Sequence, residues 1–491
     1  MPTFPLPEHP DLGQLRKLAR ELQRQVRAGD PAALALADHP AAVRTFPLSA
    51  AQRVLARRYG FASWPRLRRH VEVITARTWT LSEPASAEPD FLRLACLTWG
   101  HEPVDRRAAA ALLAADPDLP ATSLAVAAAC ADVAQVRRHL AADPAAAGRR
   151  ADPFDWSPLM YQAYARHDPL IGRDATLTTA RLLIDAGADP NDGRFFLGLP
   201  TPFTVLTGVF GAASPDLPAH PHATAFAELL LDAGADPNDG QTLYNRMFAT
   251  DDDHLRVLFA YGLGRGDGGP WHRLLGDQVE SPRQMLAALL DWAVAHDQRA
   301  RVALLAANGV DVTAPIAAGR HYSATGRTPI EIAQLSGNTE LAEELRSLGA
   351  AEPRLSPEEA FVAAVLAGDA RAVAATPAPV LASARLLRPG LIVWAAGLGR
   401  SASVELLVSS GFDVNAFGRA DVPVEDRWET ALHTAVRNDD LALARRLLAL
   451  GADPDLPDQR FGSTPLGWAQ HLGRPSLVDL LTPLTATDHQ T

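Results

Sequence analysis

The stretch ARLLIDAGADPNDG at residues 180–193 decides the fold, because the chain repeats it at residues 227–240 as AELLLDAGADPNDG. From Ala180 to Gly187, small and apolar residues recur at i, i+3, i+4 and i+7, which is one face of a helix. Gly187 can take the left-handed conformation that ends many helices without a steric penalty. Pro190 then prevents the helix from continuing. The stretch predicts a helix, a glycine stop and a tight turn.

Weaker copies of this ending recur along the chain, each with an apolar helix face, a glycine and a turn. An interval of 40 residues separates Gly309 from Gly349 and Gly411 from Gly451. The predicted helix-ending glycines are Gly187, Gly234, Gly262, Gly309, Gly349, Gly411 and Gly451. A helical pair cannot bury its apolar face alone, so the repetition predicts stacked pairs with a continuous core.

Matching helix beginnings precede these endings, and four of them carry Ser or Thr followed by Pro. The hydroxyl accepts a hydrogen bond from the first unpaired amides of a helix. Proline at the next position loses nothing, since that amide has no helical partner. The predicted starts are Ser157-Pro158, Thr201-Pro202, Thr328-Pro329 and Thr464-Pro465.

The combination of TPL or TALH beginnings with LLxxGADPN endings resembles the ankyrin repeat, whose basic period is about 33 residues. In residues 429–455, ETALHTAVRNDDLALARRLLALGADPD, His433 occupies the histidine position of the motif. The resemblance implies an all-α fold, an ankyrin-type helix-turn-helix solenoid with long inter-repeat loops after a small helical N-terminal module. Residues 242–269 and 358–382 depart from the pattern because they lack the GAD ending.

Charge and pattern divide the chain into five predicted regions. Residues 1–77 carry 13 basic and 6 acidic side chains, whereas the whole chain has a net charge of −11. Their amphipathic helices are similar to the short modules that precede ankyrin arrays in many bacterial proteins. The regions are the basic helical module (1–77), a linker (78–90), degenerate helical-pair repeats (91–155), the ankyrin array (156–484) and a disordered tail (485–491).

Composition argues against several other classes of protein. No apolar run approaches the roughly 20 residues that a membrane helix needs, and the first residues lack the apolar segment of a signal peptide. Two cysteines, Cys96 and Cys130, are too few for a disulfide framework. We therefore expect a cytoplasmic monomer that does not bind a membrane.

The sequence carries no recognisable catalytic set. Lys17 is the one lysine, so neither a Gly-Lys phosphate loop nor a buried Schiff-base lysine is available. GRGDGG at 264–269 fits GxGxxG, but a predicted helix precedes it where a dinucleotide site needs a strand. His220 and His222 lack a third metal ligand. We expect no enzyme, cofactor or metal, and a hidden enzyme in residues 242–300 is a distant third hypothesis.

Insertions that preserve a stack of helical pairs must emerge as loops, mostly on one face. They are expected at 191–200, 214–222, 264–270, 314–327 and 415–429. Several of these loops combine arginine with aromatic side chains, the composition of interface hot spots. The predicted partner-binding residues are Arg194, Phe195, Phe196, Leu197, Tyr322, Phe417, Arg419, Arg427 and Trp428. The alternative is that the aromatic rings pack back over their own repeats.

The N-terminal module combines arginines with Tyr59, Phe61 and Trp64, as nucleic-acid-binding modules do. This alternative basic patch comprises Arg53, Arg57, Arg58, Arg66, Arg68 and Arg69. The aromatic rings could equally form a small core beneath surface arginines, and the module could dock onto the acidic array or bind an acidic protein.

Function depends on the surface and not on the fold. Our first hypothesis is a protein-interaction scaffold that binds an unidentified partner protein along its concave, loop-bearing face. The second is a nucleic-acid-associated or regulatory adaptor that uses the arginine-rich segment 53–70.

Overall fold

A computed structural model describes most of the chain. The described residues are 6–7, 10–38, 43–78, 86–99, 105–167, 171–196, 201–316, 326–423 and 425–485. Within these stretches lie 28 α-helices and one two-stranded ribbon, which confirms the all-α prediction. The chain divides into two compact units, residues 1–285 and 286–491.

The first unit begins with a four-helix N-terminal module. Its helices are α1 (Leu12–Ala28), α2 (Pro31–Leu36), α3 (Leu48–Arg58) and α4 (Trp64–Arg77). The predicted stripe of α1 supplies four buried residues, Leu15, Ala19, Leu22 and Val26. They pack against α3 and α4 in two small hydrophobic clusters. The module therefore has a core of its own.

The rest of the first unit consists of successive helical pairs. The helices are α5 (Ala87–Ala95), α6 (Arg106–Ala115), α7 (Leu124–Ala129), α8 (Val133–Ala142), α9 (Pro158–Tyr164), α10 (Arg173–Asp185), α11 (Val205–Phe210), α12 (Ala223–Asp232), α13 (Gly240–Arg246), α14 (Asp253–Ala260), α15 (Gly269–Leu275) and α16 (Pro282–Ala295), which ends in the second unit. First helices pack on first helices, from α5 through α7, α9 and α11 to α13, and second helices pack from α8 to α14 in the same way. Strands β1 (Gly193–Arg194) and β2 (Phe203–Thr204) form an antiparallel ribbon between α10 and α11.

The second unit continues the same pattern. Its helices are α17 (Arg299–Ala307), α18 (Pro329–Leu335), α19 (Thr339–Ser347), α20 (Pro357–Leu366), α21 (Ala370–Ala374), α22 (Ala378–Leu387), α23 (Leu391–Gly397), α24 (Ser401–Ser409), α25 (Ala431–Arg437), α26 (Leu441–Ala449), α27 (Pro465–His471) and α28 (Pro475–Leu481). The first helices α23, α25 and α27 pack in a row, and α26 packs on α28. The helical pairs thus stack as the repetition predicts.

The predicted helix ends are confirmed. Gly187 and Gly234 have φ of 98° and 95°, in the left-handed region where a side chain would strain the backbone. The other predicted glycines also have positive φ: Gly262, Gly309, Gly349, Gly411 and Gly451. Asp189 and Asp236 accept hydrogen bonds from the amides two residues on, which forms the predicted tight turn.

Three of the four predicted helix starts are confirmed and one is wrong. The side chains of Ser157, Thr328 and Thr464 each accept a hydrogen bond from the amide three residues on. Thr201 does not cap a helix, because the chain stays extended through β2 to pair with β1. Thr204 is the cap instead, and it accepts a hydrogen bond from the amide of Thr207 at 3.3 Å.

The predicted linker is helical at its C-terminal end. Residues 79–85 lie outside the described residues, but α5 begins at Ala87. Glu88 and Asp90 occupy its first turn, where carboxylates interact favourably with the helix dipole. Of the predicted tail, only Thr485 is described.

The predicted insertions lie between helices, except that Gly269 and Pro270 of the insertion 264–270 belong to α15. Residues 191–200, 264–270, 314–327 and 415–429 follow the second helix of a pair, whereas 214–222 separates the two helices of one pair, α11 and α12. Residues 197–200 and 317–325 are outside the described part of these insertions.

Among the described residues, no single helix has the length and apolar character needed to cross a membrane. Helices α22 and α23 meet those criteria only when they are taken together, and they bend by 76° at the break between them.

Candidate functional site

The predicted partner-binding residues fall into two groups with different surroundings. Arg194, Phe195 and Phe196 lie in the first unit between α10 and α11. The second group lies in the second unit between α24 and α25, and comprises Phe417, Arg419, Arg427 and Trp428. Leu197 and Tyr322 are outside the described residues.

Arg194 is buried inside the first unit and its side chain has no exposed surface. Its Nε donates to the carbonyl of Asp155 at 3.1 Å, and its Nη1 donates to the carboxylate of Asp192 at 3.0 Å. Burial lowers the pKa of the Arg194 guanidinium, and the charge of Asp192 opposes that shift. The prediction that Arg194 contacts a partner is therefore corrected, because the hydrogen bonds of this buried side chain stabilise its own loop.

Phe195 and Phe196 are also buried, at 1% and 2% exposure. The Phe195 ring lies 5.7 Å from the ring of Trp271 and packs beside Ile74 of α4. The Phe196 ring lies 4.5 Å from the ring of Phe203. Both rings pack within the first unit and are almost completely removed from solvent. The partner-binding prediction is corrected here too, in favour of the packing alternative.

The loop of the second group is closed at its base by a backbone bridge. The amides of Gly418 and Glu429 donate to each other's carbonyls at 2.9 and 3.1 Å. A Cβ on Gly418 would lie 2.7 Å from the carbonyl oxygen of Gly390, so this close approach requires glycine. The buried carboxylate of Glu429 accepts from Arg437 at 2.9 Å, and burial raises its pKa. The base of the loop is therefore fixed to the helical stack.

Six side chains from this loop and the next one form what we call the arginine–aromatic cluster: Phe417, Arg419, Arg427, Trp428, Arg460 and Phe461. The guanidinium groups of Arg419 and Arg460 lie 5.2 and 5.0 Å from the Trp428 ring centroid. Arg460 also lies 5.5 Å from the Phe461 ring. These distances fall within the roughly 6 Å of a cation–π interaction. The guanidinium group of Arg427 lies 5.5 Å from the Phe417 ring. The cluster thus combines one set of cation–π contacts that spans both loops with a second pair, Arg427 and Phe417, in the first loop.

The outer part of the cluster is open to solvent. The Phe461 side chain is 67% exposed, and Arg427 and Arg460 are exposed as well. Arg419 pairs with Asp421 and, at 3.6 Å, with Asp426. Arg427 and Arg460 make no ion pair within the described part of the chain. Two cationic groups and one large ring of the cluster are therefore exposed to solvent.

Sequence reasoning overlooked Arg460 and Phe461. Both lie in DQRFG at 458–462, two residues after the GADPD ending at 451–455. Buried Asp458 holds that loop by accepting from the amides of Arg460 and Phe461 at 2.8 and 2.6 Å and from Trp468 Nε1 at 3.0 Å. Burial alone would raise the pKa of Asp458, but these hydrogen bonds hold it below its ordinary value. The sequence feature that could have identified Arg460 and Phe461 is the position of their loop, which lies one repeat after the loop at 415–429.

The basic patch of the N-terminal module lies over a packed core. Phe61 is buried, and Tyr59 and Trp64 pack against the same hydrophobic cluster. Five of the six predicted arginines are exposed and Arg58 is half-buried. Arg66 pairs with Asp277 at 3.0 Å and Arg68 with Glu72 at 3.5 Å. The aromatic rings therefore serve the core, as the packing alternative proposed.

The other candidates for chemistry have structural explanations. His220 is buried, which lowers its pKa to about 2, and His222 Nε2 lies 2.8 Å from the carbonyl of Ile171. Burial also raises the pKa of the Cys130 thiol to about 12. Within the described stretches, no group of three His, Cys, Asp or Glu residues is placed to hold a metal ion. GRGDGG follows helix α14 instead of a strand.

A family model described as ankyrin repeats, in three copies, matches residues 391–490. This segment runs from α23 to beyond α28 and contains the whole arginine–aromatic cluster.

Proposed function

Because the chain is an ankyrin repeat protein, and such repeats generally mediate protein–protein interaction, we propose that it is a scaffold that binds a partner protein. The proposed binding surface is the arginine–aromatic cluster. The observation that carries this proposal is the position of exposed Arg460 between two rings, 5.0 Å from Trp428 and 5.5 Å from Phe461.

The composition and order of the cluster suit an interface. Tryptophan, tyrosine and arginine are the residues over-represented among interface hot spots. The cation–π contacts already hold the Arg460 and Trp428 side chains against each other. Less side-chain entropy is then lost on binding, a loss of about 0.5–1.5 kcal/mol for each long side chain that must be immobilised.

The charges of the cluster indicate the chemistry of the partner. Arg427 and Arg460 present guanidinium groups that suit carboxylates, which they bind through two parallel hydrogen bonds. The exposed ring of Phe461 suits an apolar or aromatic side chain. We therefore propose a partner segment that carries acidic and apolar side chains together.

The proposal is tested by affinity capture from native lysate with the full chain and a double variant, Arg460→Ala with Phe461→Ser. We expect a discrete protein to be captured by the parent chain and lost by the variant. Both side chains are exposed, so the variant should fold normally.

Leu386→Ser with Leu387→Ser is the matched control, because these side chains in the same unit are 81% and 58% exposed and lie on α22, outside the cluster. The control should capture the same protein as the parent. Equal capture by the parent and the cluster variant contradicts the proposal.

The second hypothesis, a nucleic-acid adaptor, has less support from the described residues. The N-terminal arginines are exposed, but the rings of Phe61 and Trp64 pack against the module's own core and do not form a stacking surface for bases. A binding that weakens steeply with salt would favour this alternative.

A further inference from the structure

A cleft in the first unit lies where the N-terminal module meets the helical pairs. It has a volume of about 340 Å³, and Gly60 to His70 line one side while Arg273 to Gln278 line the other. The second side consists of the end of α15 and the following turn, Gly276–Gln278. Cavities of about 300–1,000 Å³ are the usual size of small-molecule sites. The cleft is thus large enough for a compact ligand.

The rim of the cleft is positively charged in a chain whose net charge is −11. Three arginines line it, Arg66 and Arg69 from α4 and Arg273 from α15, and Asp277 is the one acidic residue among the lining side chains. Arg69 makes no ion pair with any residue that the structure describes. Its guanidinium is therefore available to an anion, and it lies on a solvent-exposed side chain that can turn toward the cleft.

The other two arginines are held by weak pairs. Arg66 pairs with Asp277 at 3.0 Å, with side chains 64% and 82% exposed. Arg273 pairs with Asp267 at 2.9 Å, and those side chains are 59% and 62% exposed. Exposed ion pairs contribute little to stability because water screens them. A ligand anion can therefore replace either carboxylate at a small cost.

The floor of the cleft is apolar and rigid. Phe61 is 3% exposed, and its ring lies 4.9 Å from the ring of His70. Buried Leu275 contributes from α15.

We propose that this cleft binds a small ligand through a phosphate group. Arginine suits phosphate because its planar guanidinium offers two parallel donors to two oxygens, and three such groups from two helices converge on one cleft. The phosphate is either free or part of a larger organic molecule that occupies the rest of the cleft. This proposal is independent of the arginine–aromatic cluster, which lies in the other unit.

Calorimetric titration of the full chain at low salt tests the proposal, with AMP and inorganic phosphate as probes. We expect saturable binding of at least one probe with one site per chain. Tighter binding of AMP identifies an organic phosphate as the ligand type, and equal binding of both identifies free phosphate. No saturable binding of either probe would overturn the proposal.

Substitutions at two neighbouring arginines distinguish a specific phosphate site from general attraction of anions to a basic surface. Arg69→Gln should weaken binding by about tenfold, the effect of losing about 1.4 kcal/mol. Arg68→Gln removes the same charge one residue away, but Arg68 pairs with Glu72 and does not line the cleft. It should change the affinity less than twofold, by about 0.4 kcal/mol at most. Equal losses in the two variants would contradict a specific site.

Discussion

Asn191 ties its own repeat to the next one through Asp236. Its Oδ1 accepts from the amide of Asp236 at 2.8 Å, while its Nδ2 donates to the carbonyl of Gly234 at 2.8 Å. Asn415 makes the equivalent pair of bonds in the second unit: its Oδ1 accepts from the amide of Asp453 at 2.8 Å, and its Nδ2 donates to the carbonyl of Gly451 at 3.3 Å. The asparagine of the repeated GADPN ending is therefore an inter-repeat tie. Its side chain links turns that successive helical pairs present at one edge of the stack.

Replacing Asn191 by alanine should destabilise the first unit by about 1–2 kcal/mol, since two inter-repeat hydrogen bonds are lost. Urea unfolding followed by circular dichroism measures the change. Asn308→Ala is the control, because the side-chain Nδ2 of Asn308 donates to the carbonyl of Leu304 in the preceding helix and to no other repeat. Its effect should stay below about 0.5 kcal/mol. If Asn191→Ala lowers the free energy of unfolding no more than Asn308→Ala does, a stabilising role for the two inter-repeat hydrogen bonds is contradicted.

Gly451→Ala should destabilise the last repeats by about 1 kcal/mol, because φ at this residue is 96° and a side chain strains that conformation. No atom lies within 4 Å of the added Cβ, so a loss of stability in this variant reports backbone strain and not a steric clash. Gly148→Ala adds a Cβ that is equally free of contacts, at a residue without positive φ. Thermal unfolding should separate the two variants. A parental melting temperature for Gly451→Ala would contradict the assignment of a left-handed stop.

Asp458→Asn should destabilise the second unit near neutral pH by about 2 kcal/mol, because the carboxylate accepts charge-assisted hydrogen bonds that an amide group cannot all accept. The folded pKa of Asp458 lies below its ordinary value. The stabilisation is therefore complete above the unfolded pKa of about 3.9 and is lost as pH falls through the folded pKa.

The stability difference between the parent chain and Asp458→Asn should accordingly shrink from pH 6 to pH 3. Urea midpoints across that range measure it, with Asp479→Asn as the control, because Asp479 is an exposed carboxylate on α28 in the same unit. A difference that does not change with pH would rule out the carboxylate as its source.

Phe195→Ala should loosen the N-terminal module, since Phe195 packs against α4 and its amide donates to the carbonyl of Arg77 at 3.0 Å. Truncating a buried phenylalanine destabilises by about 3–5 kcal/mol. We expect faster hydrogen exchange in α4. Phe196→Ala removes a ring that packs on Phe203 instead, and should leave α4 protected. Equal exchange in α4 for the two variants would contradict the docking role of Phe195.

Local rules predicted the repeat architecture well, because its signals lie close together in the sequence. Gly187 and Pro190 define a helix end within four residues, and Ser157 caps the helix that begins at the next residue. Thr201 was misjudged because the pairing of β1 with β2 depends on a loop that precedes it. The pairing of these two strands outweighed the local capping signal at Thr201.

The site was predicted less well, because exposure depends on partners that are distant in sequence. Phe195 is covered by Trp271 and by α4, and neither is adjacent in the chain. Trp428 and Arg419 were proposed for the same surface and do contact each other, but the contact of Trp428 with Arg460 requires the next repeat to stack in register. Composition identified the loop residues, and only the stacked repeats showed which of them reach solvent.

The arginine–aromatic cluster is the proposed binding surface for the partner protein. Titration calorimetry with the purified captured partner tests it most directly. Arg460→Ala with Phe461→Ser should raise the dissociation constant by about 30-fold or more, as expected for hot-spot side chains worth about 2 kcal/mol. Leu386→Ser with Leu387→Ser should change it by less than about threefold. An unchanged dissociation constant for the folded cluster variant would contradict the account.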